Sequence, residues 1–361
     1  MLNGMKPLSR SLRWGMVGGG ATSQIGYSHR SAALRDNVFT LLAGAFDIDA
    51  ARGRQFGEQL GIAPERCYAD YQTLFREEAL RPDGIEVVSV TTPNNTHFAI
   101  TKAALEAGLH VVCEKPLCFS AAEAQELREL SIKHNKIVGV TYGYAGYQMI
   151  QQARQMIADG LLGQIRIINM QFAHGFHNEA VELQAESTRW RVTPKYAGPS
   201  YVLGDLATHP LFVAETMAPH LNIRRLMCSR QSFVASRAPL EDNAFVLMEY
   251  DNGAVGSMWT SAVNSGIDTQ PAAHAAYIDL LARMLDKPVA LSAFPDKAHL
   301  LRALARGEIH LASLRVFIGY GVTRKLADIR RTGGVIHRFT LTICQGNQHI
   351  GITTDDIFQR H

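Results

Sequence analysis

A very short Val-rich run, His110 to Cys113, stops abruptly at Glu114, Lys115 and Pro116. The run follows the helical pattern AITKAALEAG and is itself too short for a helix, so it predicts a buried parallel strand. Lys115 then stands at the carboxyl end of that strand. In an open α/β sheet, ligands bind in the crevice outside those ends, which puts the lysine at the mouth of a site. Pro116 restricts its predecessor to extended conformations and so keeps Lys115 out of any helix. Alone, such a lysine is an exposed turn residue, and the neighbouring stretches decide between the two readings.

The same pattern recurs on either side. Ser11 to Val17 is apolar and runs into Gly18, Gly19 and Gly20, with a helix expected over Ser23 to Leu34. Glycines there allow a tight turn and the approach of a pyrophosphate to a helix amino end. The match to G-x-G-x-x-G is imperfect, because Ser23 fills the third position and Gly26 follows three residues later. Thr40 to Phe46 is the second strand and ends at Asp47. That carboxylate can accept from a ribose 2′-OH, while Asp49 suits the N-cap of the next helix. Arg52 and Arg54 could instead meet a 2′-phosphate, so NAD is preferred with NADP left open.

Gly84 to Val90 is a further strand, ending in Thr91, Thr92, Pro93, Asn94, Asn95, Thr96 and His97. Asn94 and His97 are candidates for the nicotinamide side of a cofactor; equally, Asn95 or Thr96 caps the helix that carries Ala99 to Ala107, and for His97 alone the structural role is favoured. Ser120 with Glu123 forms a capping box for a helix reaching about Asn135, and Lys136 to Tyr142 is the last strand of the unit. A repeated β-α pattern from Ser11 to about Gly143 is the doubly wound class.

Beyond it, Tyr147 to Asp159 is an amphipathic helix with Gly160 as its stop, and Gln164 to Phe172 a strand. His174, His177, Trp190 and Arg191 lie in a polar stretch suited to a ligand-facing loop. The two histidines lack a third ligand, so no metal is expected. The helical YVLGDLATHPLFVAETM carries Asp205 and His209 at i and i+4 on one face. A carboxylate one turn from an imidazole tunes it for general acid or base work, although a buried capped pair has the same spacing. Ile223 to Cys228, Asn243 to Tyr250 and Val255 to Ser261 read as strands, the last two joined by a turn at Asp251-Asn252-Gly253.

The chain has 361 residues, enough for two domains, and a formal net charge of +3, too small to imply nucleic acid or a membrane surface as a partner. Five scattered cysteines with no CxxC pair, and no signal peptide or membrane-spanning run, predict a reduced cytoplasmic protein.

Taken in order, GMVGGG, TTPNNTH, AGLHVVCEKPL, GLLGQIR, GPSYVLGDLATH and LEDNAFVLMEYDNGAVGSMWTS resemble the glucose-fructose oxidoreductase / inositol dehydrogenase / rhizopine-catabolism (Gfo/Idh/MocA) family over about residues 12–266. The resemblance implies an α/β protein: an N-terminal Rossmann doubly wound parallel sheet over 1–143, then an α/β domain with an open, mostly antiparallel sheet over 144–266. It implies NAD(P)-dependent oxidation or reduction of a sugar, polyol or cyclitol, with Lys115, Asp205 and His209 matching the family's catalytic residues. Cofactor contacts are expected from Gly18, Gly20, Ser23, Ile25, Asp47, Thr92, Pro93, Asn94, His97, Glu114 and Lys115. Substrate contacts are expected from Tyr144, Tyr147, Trp190, Arg191, Asp205 and His209. A cofactor-binding regulator without turnover and an NAD-using glycosidic-bond hydrolase are the competing functions. Family members associate through the open sheet, so a homo-oligomer is expected.

After Gly266 no family motif is seen. Residues 267–361 are expected as an atypical tail, helical from Gln270 to Arg306 with an apolar stripe over Ala273 to Leu285, then basic and irregular from Arg315 to His361. The sheet would then lack its outer strands, leaving the second half less stable than the first and its assembly atypical.

Overall fold

A computed structural model describes residues 8–35, 37–183, 189–264, 341–345 and 348–352. The expected helices between Gln270 and Arg306 lie outside the described residues. Two compact units divide the chain. One holds the residues through Tyr142 together with Pro194–Pro199; the other holds Gly143–Thr193 and the described residues from Ser200 onward.

The first unit is a five-stranded sheet in the order β2-β1-β3-β4-β5, all parallel. Its strands are β1 (Leu12–Gly18), β2 (Phe39–Ala45), β3 (Val87–Thr91), β4 (His110–Cys113) and β5 (Val138–Val140). The order reverses between β1 and β3, where Gly18 lies beside Thr91 at the carboxyl ends. That reversal opens the crevice in which doubly wound sheets bind ligands. Because all five strands run the same way, the Gly18 turn, Asp47, Thr92 and Lys115 all follow strands on one edge.

Val17, Val88, Val90, Ile100, Leu105, Val111 and Leu127 form the centre of the core. The helices are set by their ends. Asp49 accepts from the Arg52 amide at 3.0 Å and starts α2 (Ala50–Gln59), as its position in the sequence predicts. Ser120 and Glu123 exchange both bonds of a capping box at the start of the helix Ala121–His134, and Asn135 closes it in the left-handed region at φ 51°. Each such cap contributes about 1 kcal/mol, enough to fix where a helix begins.

The second unit is built on a six-stranded sheet, β11-β10-β6-β9-β8-β7. Here β6 is Ile167–Ala173, β7 Ile223–Gln231, β8 Asn243–Tyr250, β9 Val255–Ser261, β10 Leu341–Gln345 and β11 Gln348–Ile352. Only the β6–β9 pair is parallel. Residues alternate along β8: Ala244, Val246, Met248 and Tyr250 are buried, while Phe245, Leu247 and Glu249 face outward. The buried row packs with Ile168, Met170 and Met258 against Ala207, Ala214 and Leu221.

The expectation of an irregular end after Arg315 is corrected in part. Leu341–Gln345 and Gln348–Ile352 are strands β10 and β11, paired antiparallel, and β10 lies against β6 through Thr342–Asn169 and Ile343–Ile168. The signal was present in the sequence, since LTICQ alternates apolar with polar residues and QHIGI places Ile350 and Ile352 two apart, on either side of Gly346-Asn347. Two such runs separated by a Gly-Asn pair are a hairpin pattern. The edge of β6 is therefore covered.

Candidate active site

In the first unit the glycine turn is held by geometry that only glycine tolerates. Gly18 and Gly19 have φ of +77° and +75°. A Cβ on Gly18 would stand 2.9 Å from the Thr91 carbonyl oxygen, and one on Gly26 would stand 2.6 Å from that of Gly19. The first turn of α1 (Gln24–Ala33) thus rests directly on the glycine turn, with its amino end open to an anion. Gly26, rather than Ser23, is the close-packing residue. Ser23 is the N-cap and accepts from the Gly26 amide at 3.1 Å. Buried Arg30 donates to the Gly19 carbonyl at 2.6 Å and braces the turn from below. Ile25 projects from the first helical turn and is exposed.

Asp47 follows β2. Its Oδ1 accepts from the Asp49 amide and from the Arg52 guanidinium, each at 2.9 Å. The Arg52 bond, with the Asp49 amide, holds this carboxyl below its usual range. Oδ2 lies beside the glycine turn, 3.6 Å from where a Gly20 Cβ would be. After β3, the Thr91 hydroxyl donates to the Val17 carbonyl at 3.1 Å and locks the crevice floor. Thr92 and Pro93 lead into Asn94, which is buried.

His97 takes the structural role favoured for it in isolation and not the cofactor contact. It has no exposed surface, and its ring nitrogens lie 2.7 Å from the Pro116 carbonyl oxygen and 2.8 Å from that of Thr92. With both nitrogens taken in the interior, it joins the loop after β3 to the turn after β4 in place of the expected cofactor contact. Glu114 is equally committed: its carboxylate takes bonds from His29 at 2.9 Å, from Thr141 at 2.7 Å and from the Lys115 amide at 3.1 Å. Burial pushes Glu114 upward, but the His29 and Thr141 bonds and the nearby positive charge outweigh it, so the group stays ionised. Glu114 thereby anchors the backbone of Lys115, whose bond to Pro116 is cis.

The second unit gathers the remaining candidates. A helical stretch opens with a π turn, Leu203–Ala207, and continues as the α-helix Thr208–Met217. Its amino end is capped from afar by Glu241, which is buried and accepts from the Ser200 hydroxyl and from the amides of Tyr201 at 3.1 Å and Leu203 at 3.0 Å. Asp205 lies in the π turn, with the Arg191 guanidinium 3.9 Å away. Arg191 also lies over the Trp190 ring at 4.5 Å. His209, on the α-helix, meets Tyr144 edge-on at 4.7 Å between ring centres, with Phe172 at 6.0 Å. Tyr147 packs on Tyr144 at 5.8 Å.

All six expected substrate residues thus fall in this unit. Burial, then the Asp205 charge, raises the Tyr144 phenol, which remains protonated at neutral pH. Sequence reading passed over Glu241, Tyr201 and Phe172 and assigned His177 no contact. Among the described residues, no group of three or more His, Cys, Asp or Glu is arranged to hold a metal ion.

Comparison with known proteins gives these two clusters a common class. The Gfo/Idh/MocA oxidoreductase family, NAD-binding Rossmann fold, matches residues 12–142, and the family's C-terminal domain matches residues 150–272, six residues past the expected limit. The chain is 59% identical over 269 residues to the uncharacterized oxidoreductase YfiI of Bacillus subtilis, covering 74% of this chain and 68% of that one. It is 68% identical to an inositol dehydrogenase homolog from Azotobacter vinelandii solved with NAD+, covering 74% of this chain and 68% of that one, with a TM-score of 0.72. A structure of the Azotobacter vinelandii homolog with NADH and myo-inositol is 66% identical, covers 72% and 66%, and has a TM-score of 0.68.

The chain belongs to the Gfo/Idh/MocA oxidoreductase family. It is an oxidoreductase carrying the family's NAD-binding Rossmann fold. The glycine turn fits the cofactor: the close Gly19–Gly26 approach clears the amino end of α1 for a pyrophosphate, and Asp47 flanks the same turn. No helix among the described residues is long and apolar enough to cross a membrane.

Proposed function

We propose that the enzyme oxidises a ring hydroxyl of a cyclitol or closely related polyol. The observation that carries this reading is the grouping of Asp205, His209 and Arg191 with the rings of Tyr144 and Phe172, in a chain 66% identical to one solved with NADH and myo-inositol. Aromatic faces match the C–H surfaces of a ring, and a few charged groups set its orientation. His209 takes the hydroxyl proton while the carbon-bound hydrogen leaves with its electron pair and the C–O bond becomes a carbonyl. Bound NAD supplies the hydride acceptor. Lys115 stabilises the developing alkoxide, and Asp205 holds the charge balance around the imidazole and Arg191.

Gly18, Gly20, Ser23, Ile25, Thr92, Pro93 and Asn94 are the proposed walls of the dinucleotide site, with Asp47 Oδ2 as the ribose acceptor. A 2′-phosphate would meet that carboxylate, so NAD is preferred over NADP, and Asp47→Ala should narrow the preference by about tenfold or more in kcat/KM. Incubating the protein with NAD or NADP and a panel of cyclitols, sugars and polyols tests both points through nicotinamide absorbance. Net NADH with a cyclitol supports the reading. Product without net NADH would mark transient oxidation, as in bond cleavage, and no product with any polyol would end it.

We also infer a reducing, cytoplasmic setting, supported by Cys67, Cys113, Cys118 and Cys228 as free thiols. The outward face of the second sheet supports a homo-oligomer. Phe245 and Trp259 stack there with rings 5.8 Å apart and 5° from parallel, next to exposed Leu247 and Met227. An apolar face of this kind is normally covered. Leu247→Lys should therefore shift the sedimentation coefficient to that of a smaller species, while an already monomeric wild type would refute the inference.

A further inference from the structure

His177 and Tyr201 form a pair outside the proton-transfer residues. The loop after β6 is pinned to the end of β9: the amides of His174 and His177 donate to the carbonyls of Ser261 at 2.9 Å and Ala262 at 3.0 Å. Tyr201 is held just as firmly, 1% exposed, with its amide on Glu241. The two rings stack at 5.8 Å and 26°, and the Tyr201 hydroxyl hydrogen-bonds His177 Nδ1.

The direction of that bond follows from what each group needs. Among the described residues the Tyr201 hydroxyl has no other hydrogen-bond partner. If His177 donated, the phenol proton would be left buried without an acceptor, at a cost of about 1 to 3 kcal/mol. The phenol therefore donates, Nδ1 accepts, and the remaining proton of the neutral ring sits on Nε2. Burial, then the charges of His174, Arg237 and Arg191, pushes His177 down to about 4, so the ring is neutral at working pH. The pair adjoins the turn that carries Asp205, whose amide donates to the Tyr201 carbonyl at 2.8 Å, and His177 is only partly buried. Nε2–H has no hydrogen-bond partner among the described residues.

We propose that Tyr201 fixes His177 as its Nε2–H tautomer, and that this neutral N–H donates to a substrate hydroxyl other than the one oxidised, making His177 a specificity-determining residue. The proposal rests on the cyclitol reading. A neutral donor held on Tyr201, one turn ahead of Asp205, discriminates by hydroxyl position without adding charge that would disturb the proton transfer at His209. A site that hydrogen-bonds a hydroxyl penalises the analogue lacking it, because its own donor is then left unpaired.

Kinetics of the full-length His177→Ala, His177→Gln and Tyr201→Phe variants on myo-inositol and its monodeoxy analogues test this. For His177→Ala, kcat/KM on myo-inositol should fall about tenfold to a hundredfold, chiefly through KM. The penalty should vanish for the one deoxy analogue that lacks the partner hydroxyl. His177→Gln keeps a donor near the Nε2 position and should recover part of the loss; Tyr201→Phe should lose less than His177→Ala, on the same substrates. An unchanged calorimetric melting profile together with unchanged NADH binding in each variant shows that both units are intact. A penalty equal across all analogues, or none, overturns the role of His177 while leaving the cyclitol reading in place. A wild-type protein that reduces no NAD with any cyclitol overturns both.

Discussion

Lys115→Ala should lower turnover by about two orders of magnitude or more while leaving NAD binding close to that of the parent enzyme. The expectation comes from the way this residue is held. Its amide is fixed by Glu114, a buried carboxylate that also takes bonds from His29 and Thr141, and the following Pro116 carbonyl is fixed by His97. A charge on so rigid a backbone needs little reorganisation as an alkoxide develops, and removal of one preorganised donor elsewhere costs about 3 to 4 kcal/mol. Cofactor affinity should survive because the glycine turn, Asp47 and the loop after β3 do not depend on the lysine side chain. Titration of NADH fluorescence alongside single-turnover rates separates the two. Turnover within about threefold of the parent would take Lys115 out of the chemistry.

The second large effect concerns stability. Arg237 is wholly buried, with Glu182 and Asp242 against it; Asp242 Oδ2 lies 3.6 Å from Nη1, and Glu182 accepts from Nε at 3.3 Å. Asp242 also receives the amides of Phe233 and Val234, each at 2.9 Å. Arg237→Met keeps the volume but leaves two buried carboxylates facing no cation. Breaking a buried ion cluster from one side costs about 3 to 5 kcal/mol, which for a unit of this size lowers Tm by roughly 10 °C. Calorimetry should show the fall, and adding Glu182→Gln with Asp242→Asn should restore part of it, because the stranded charges are then gone. A change below about 1 kcal/mol in the single variant would mean that water reaches the cluster.

The parts legible from sequence were those written locally. Each parallel strand is a short, mostly apolar run ending in a glycine turn or a polar cluster, so the shared edge of Gly18, Asp47, Thr92 and Lys115 could be inferred from sequence. Capping residues were legible for the same reason: Asp49, Ser120 and Glu123 lie within a few positions of the amides they bind. What escaped depends on long-range pairing. Glu241 caps a helix that begins some forty residues earlier, at 3.1 Å from the Tyr201 amide, and nothing near either end announces it. The π turn at Leu203–Ala207 was hidden too, because a single register change in a helix leaves the apolar periodicity almost intact. His97 looked like a ligand-facing histidine since its neighbours are polar, yet its two partners are backbone carbonyls with no sequence signature. The β10–β11 hairpin was missed because its alternation is short and sits in a stretch without family motifs.

The Glu241 cap also makes the helix of Asp205 and His209 a passenger of the sheet. One carboxylate, just ahead of β8, grips Ser200, Tyr201 and Leu203, so any sideways slip of β8 is relayed to the first turn of that helix with almost no slack. Displacements near 1 Å can cost about a hundredfold in rate while barely registering in stability. Drift along β8 would therefore surface first as a slow enzyme and only later as an unfolded one, and variants in the sheet interior, far from any reacting atom, would be sorted by turnover before they are sorted by melting.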